Sequence, residues 1–80
     1  MKVEINLFAT LAAYLPVGGE GNSAIIDVPH GSTVDQVARR LGIPDEMPRI
    51  VLVNGRDADP EQSLHDGDAL SVFPPLAGGA

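Results

Sequence analysis

Two groups of residues in this chain have the types and spacing to attract chemistry. The first is an acidic run with one histidine: Asp57, Asp59, Glu61, His65, Asp66 and Asp68. Its spacing does not match a calcium-binding loop, and no pair of histidines stands near a carboxylate, so no metal site is assigned. Asp and Gly at these positions read as turn formers and caps. His30 and His65 have no serine or cysteine motif around them, which removes the usual arrangement for nucleophilic catalysis. Cysteine is absent altogether. Disulfides, thiolate nucleophiles and sulfur-based metal sites therefore drop out, and any sulfur chemistry must use imported sulfur. The second group is the run Pro74-Pro75-Leu76-Ala77-Gly78-Gly79-Ala80. Two prolines bias it toward an extended stalk. Gly78 and Gly79, lacking Cβ, can enter a channel too narrow for other residues. Fully extended, Pro74 to Gly79 spans roughly 20 Å, enough to reach a partner's active site. The alternative is a frayed terminus.

The elements that must carry this tail follow from periodicity. Lys2 to Phe8 alternates, with Val3, Ile5 and Leu7 on one side, and predicts a half-buried strand. Ala9 to Pro16 predicts a short helical turn bearing Leu11 and Leu15. Residues 17–22 form a loop whose Gly18, Gly19 and Gly21 lack the strand-before, helix-after context of a phosphate-binding motif, and they are read as turn residues. Ser23 to Val28 predicts a second strand. Thr33 with Gln36 makes a capping box, and Val34, Val37, Ala38 and Leu41 fall on one helical face. Arg39 and Arg40 suit the helix C-terminus, and Gly42 suits the residue beyond it.

Pro44 to Pro48 predicts a crossover loop. Ile50-Val51-Leu52-Val53 reads as a strand deep in a sheet, with Asn54-Gly55 as a type I′ hairpin and Arg56 to Ala58 returning. Asp59 to Leu64 crosses over, Asp66-Gly67-Asp68 turns, and Ala69 to Phe73 is the final strand, which leads straight into the tail. One helix on a mixed sheet of four or five strands satisfies these patterns, an α+β domain over 1–73 with a flexible tail over 74–80. Crossover rules allow the last strand to lie beside the first, as in a β-grasp.

Eighty residues form one small domain that buries roughly 60–65% of its unfolded surface, so a large internal catalytic pocket is not expected. Five basic residues against eleven acids give a formal charge of −6, which argues against nucleic acid and suits either a basic protein partner or simple solubility. The start of the chain lacks the pattern of a signal peptide, and no stretch reaches membrane-spanning length. A cytoplasmic protein that does not engage membranes is expected. Around the tail base, Phe73, Pro74, Pro75 and Leu76 read as an apolar collar, with Phe73 favoured as core and Leu76 as partner contact. Arg49 and Arg56 are read as ordinary solvated charges.

The run Leu64-His65-Asp66-Gly67-Asp68-Ala69-Leu70-Ser71-Val72-Phe73-Pro74-Pro75-Leu76-Ala77-Gly78-Gly79 resembles the C-terminal half of the small subunit of molybdopterin synthase. Val53-Asn54-Gly55 also looks like that family's central hairpin. The element order is similar to the ubiquitin-like β-grasp fold of these sulfur carriers. The thiamine-pathway carrier shares the fold and the diglycine but is less similar at Phe73-Pro74-Pro75. What the resemblance implies is specific. An adenylating enzyme of the ubiquitin-activating type would use ATP to activate the Gly79 carboxylate, and sulfur would then enter as a thiocarboxylate. Carboxylates resist nucleophilic attack, so activation must come first. The carrier would bind no cofactor and supply no catalytic side chain. Its tail, with Gly78 next to the reacting end and Phe73 to Ala77 in contact, would enter the synthase large subunit or another acceptor enzyme. Ala80 departs from the pattern. Trimming of Ala80 is favoured over tolerance of it, and both over loss of carrier function. Sulfur delivery to thiamine, an amino acid or tRNA, and protein modification through a target lysine, are the alternatives, with an inert interaction domain behind them.

Overall fold

Alternation in the first segment becomes strand β1 (Lys2–Leu7), with Val3, Ile5 and Leu7 fully buried and Lys2 and Glu4 exposed. The computed structural model describes residues 1–16 and 18–75. A 3₁₀ helix (Ala9–Tyr14) follows and buries Leu11, and β2 (Ser23–Asp27) returns antiparallel to β1. Helix α1 (Val34–Arg40) opens on the expected capping box: Thr33 Oγ1 accepts from Gln36 N–H at 3.2 Å, and Gln36 Oε1 accepts from Thr33 N–H at 2.9 Å. Val34, Val37 and Ala38 are buried, while Leu41, the C-cap, is half-buried. Gly42 takes φ +90°, as a residue ending a helix in the left-handed region does.

Strands β3 (Ile50–Val53), β4 (Arg56–Asp57) and β5 (Ala69–Phe73) complete a five-stranded sheet in the order β2-β1-β5-β3-β4. The first and last strands pair in parallel at its centre, from Glu4↔Ala69 to Leu7↔Val72, and the other pairs are antiparallel. Asn54 (φ +52°) and Gly55 (φ +83°) both sit at positive φ, the requirement of a type I′ turn. The sheet's inner face supplies Val3, Ile5, Leu7, Leu70, Val72 and Val53 to one core that Val34, Val37, Ala38, Ile43 and Leu64 close from the helix side. Burying this aliphatic set is the main driving force of the fold.

One expectation holds with a qualification, and one changes. β3 lies inside the sheet but is not buried on both faces: Val51 and Val53 point inward, whereas Ile50 and Leu52 lie on the face away from the helix, leaving Ile50 42% exposed. A lone helix can cover only one face of the sheet, so an apolar run does not imply two-sided burial here. Arg49 is not a solvated charge. Its side chain is 12% exposed and donates to the carbonyls of Pro44 and Met47, each at 3.1 Å, and to Asp35 Oδ1 at 3.3 Å. It clamps the crossover loop onto the helix.

Candidate functional site

The strand that leads into the tail fixes the site. In β5 the side chains alternate, and Leu70 and Val72 take the core positions, so Phe73 falls on the uncovered face with Ser71 and Ala69. Phe73 is therefore half-buried and not core, contrary to the sequence reading. Phe8, just beyond β1, stacks on it with ring centroids 4.5 Å apart and an interplanar angle of 3°. Such a pair adds about 0.5–1.5 kcal/mol beyond its burial. Ile50 lies opposite Phe73 in the β3–β5 register, and Leu52 lies opposite Ser71. Phe8, Phe73 and Ile50 thus form an apolar row across three strands, with Leu52 behind it, at the end of the sheet where Pro74 and Pro75 leave β5. Of the two prolines, Pro74 is half-buried and Pro75 exposed.

A second set of residues fixes where β5 begins. Asn54 N–H donates to the Ala69 carbonyl at 2.8 Å, and its side chain returns the contact: Oδ1 accepts from Ala69 N–H at 3.0 Å, and Nδ2 donates to Asp68 Oδ1 at 3.0 Å. Asp68 Oδ2 also accepts from His65 N–H at 2.8 Å. The Asn54 amide first, and the His65 backbone second, hold the Asp68 carboxyl below the usual carboxylate range. On the other side Asp66 Oδ1 accepts from Lys2 N–H at 2.7 Å, while Gly67 N–H, with φ +88°, donates to the Lys2 carbonyl at 2.8 Å. The acidic turn is accordingly a register clamp tying β5 to β1 and β3. Among the described residues no group of three histidines, cysteines or carboxylates is placed to hold a metal ion.

The predicted site residues divide cleanly. Phe73, Pro74 and Pro75 stand together at the tail base, whereas Leu76, Ala77, Gly78, Gly79 and Ala80 lie outside the described residues. Sequence reasoning missed Phe8, Ile50 and Leu52 as members of the collar. The signal that finds them is strand register: once β1 and β3 flank β5, odd and even positions sort onto opposite faces.

With this geometry in view, the comparisons with known proteins are decisive for the family. The model of the ThiS family matches residues 5–79, nearly the whole chain, and ends on Gly79. The chain belongs to the ThiS family. No curated protein matches it. Among solved structures, the ThiS-family chain is similar to the Haloferax volcanii HVO 2177 protein, with 35% identity, a TM-score of 0.77, and coverage of 99% of this chain and 87% of that one. It is also similar to SAMP1, a small archaeal modifier protein from Haloferax volcanii, with 27% identity, a TM-score of 0.74, and coverage of 99% and 100%. One chain of the complex of subunits 1 and 2 of molybdopterin-converting factor from Helicobacter pylori shares the fold, with 20% identity, a TM-score of 0.62, and coverage of 99% and 100%. The protein is thus a ubiquitin-like β-grasp member of the ThiS family of sulfur carriers. Ala80 lies one residue past the matched span.

Proposed function

We propose that this protein carries sulfur on Gly79 for molybdopterin biosynthesis, after removal of Ala80. An adenylating enzyme of the ubiquitin-activating type first directs the Gly79 carboxylate oxygen onto the α-phosphorus of ATP, releasing pyrophosphate. A sulfur nucleophile at the sulfide level then attacks the acyl carbon, AMP leaves, and a thiocarboxylate remains. The chain's own contribution is delivery. Its clamp at Asn54, Asp66 and Asp68 holds β5 in register, and its apolar row offers a partner a fixed seat at the base of the segment that carries Gly78 and Gly79. The observation that carries the reading is the family match running to Gly79, with Phe73 and the two prolines set beside Phe8 and Ile50 at the base of that segment. The fold shared with a chain of the molybdopterin-converting factor complex supports a large subunit as the acceptor partner. Among the described residues no helix is long and apolar enough to cross a membrane, which fits a carrier working in the cytoplasm.

Likeness to SAMP1 favours a second reading, in which the activated glycine is joined to a lysine of a target protein. Intact-mass analysis with fragmentation of the C-terminal peptide, on protein isolated from its native cell, separates the two. Loss of Ala80 with sulfur replacing an oxygen on Gly79 is the expected result. Isopeptide-linked conjugates without any thiocarboxylate would establish the modifier instead, and an unmodified full-length chain would remove both readings.

A further inference from the structure

The two edges of the sheet are unequal. β4 is two residues long, too short to template another chain, whereas β2 is five residues long and runs bare along the opposite edge. Its hydrogen bonds can be assigned one by one. Leu7 N–H donates to Asn22 at 2.9 Å, and Val28 and Met1 exchange both of their bonds at 2.9 Å. Alternation in an antiparallel ladder therefore turns Ala24 and Ile26 toward β1, and Ser23, Ile25 and Asp27 outward. Ser23 is already satisfied, because it and Glu20 exchange bonds of 2.9 and 2.8 Å. The two N–H and two carbonyl groups of Ile25 and Asp27 are left facing outward, without a hydrogen-bond partner among the described residues. Ile25 is also the most exposed large apolar residue described, at 69%.

Charge decides what fits there. Glu4 lies opposite Ile25 in the register and Glu20 stands in the adjoining turn; with Gly18, Ser23 and Ile25 they line an open recess. Glu4 accepts only from Asn6 Nδ2, at 2.9 Å, and neither glutamate has an ion-pair partner among the described residues. A second copy of this chain is a poor occupant. It would bring −6 against −6, and Lys2, opposite Asp27 in the β1–β2 register, is engaged with that carboxylate at 3.0 Å.

We propose that the β2 edge is a docking site for an extended, basic segment of a partner protein, which pairs with Ile25 and Asp27 as a sixth strand and sets a lysine or arginine between Glu4 and Glu20. Main-chain pairing supplies affinity in such strand addition, and the recess supplies selection by charge. Because it uses the sheet edge and not the tail, the site stands independently of the carrier chemistry.

The test is a titration of isotope-labelled full-length protein with a peptide of alternating threonine and lysine, read by amide shifts and amide exchange. At roughly ten times its Kd the peptide should slow exchange of the Ile25 and Asp27 amides about tenfold. Glu4→Gln or Glu20→Gln should each weaken binding about two- to fivefold, and a control peptide of alternating threonine and glutamate should not bind. Ile25→Pro, which removes an outward N–H that β1 does not use, should abolish protection at Asp27 while leaving the other amides folded. Shifts confined to another surface, equal binding of the acidic peptide, no binding of the basic one, or concentration-dependent protection of Ile25 without peptide, the mark of self-pairing, would each overturn the proposal.

Discussion

A methyl group placed on Gly19 would lie 2.8 Å from both Leu15 Cδ2 and the Ser23 carbonyl oxygen, and 3.1 Å from the Ala24 Cβ. One of these contacts is backbone, so it cannot relax by a rotamer change. Gly19 is required by space, whereas Gly18 and Gly21 are required by φ of +95° and +57°. We expect Gly19→Ala to cost about 1–3 kcal/mol, measured by urea denaturation, through displacement of the loop against β2. Phe8 tests function at the same scale. It is half-buried and stacks on Phe73 without entering the core, so Phe8→Ala should lower stability modestly, by about 1 kcal/mol, yet weaken binding of the acceptor subunit by at least about tenfold if the row is a central contact. Calorimetric titration against the purified partner gives the comparison. Equal binding by Phe8→Ala and wild type would remove the row from the interface.

At the scale of elements, β5 is held by side chains that the sequence reading took as turn formers, and their protonation ties fold to pH. Asp68 has a folded-state pKa below its unfolded value, because Asn54 and the His65 backbone donate to the ionised form. Its contribution is therefore fully present above the unfolded carboxylate range near pH 4 and is lost as pH falls through the lower folded value. Asp27, lowered by its hydrogen bond and ion pair with Lys2, acts in the same direction. Asp68→Asn should flatten the acid limb of the stability curve below about pH 4 relative to wild type, and Asn54→Ala should do so while also loosening the β3–β4 turn; thermal melts across pH measure both. Most of this frame was legible in advance. Alternation marked β1, Thr33 and Gln36 marked the helix start, and Asn54-Gly55 marked the hairpin, because each is a local pattern with a local physical cause. What stayed hidden depended on neighbours far along the chain. The row that Phe73 shares with Phe8 and Ile50 follows from pairing β5 between β1 and β3, which no single segment encodes. Arg49 was misread for the same reason: its three acceptors sit on a loop and a helix that meet only in the folded molecule.

Viewed as one molecule, the protein separates stability from chemistry. Every buried apolar residue of the described core lies between Val3 and Val72, and the clamp at Asn54, Asp66 and Asp68 acts at the start of β5, away from the end that leads to the tail. The described core and clamp are thus complete without residues 76–80, while the proposed chemistry needs nothing else of covalent kind. A chain truncated after Pro75 should melt within about 4 °C of the full-length protein, since it keeps every residue of the described core. It should also retain its apolar row and bind the acceptor subunit, though more weakly for want of the tail. Activation is the opposite case. ATP–pyrophosphate exchange by the adenylating enzyme should fall to background with the truncated chain, and a chain ending at Gly79 should restore it. Comparing that chain with the full-length one then isolates Ala80: faster exchange by the Gly79-ended form supports trimming before activation, and equal exchange supports tolerance of the extra alanine. If the truncated chain melted far lower, the tail would have to pack on the domain, and the division of labour argued from the core would fail.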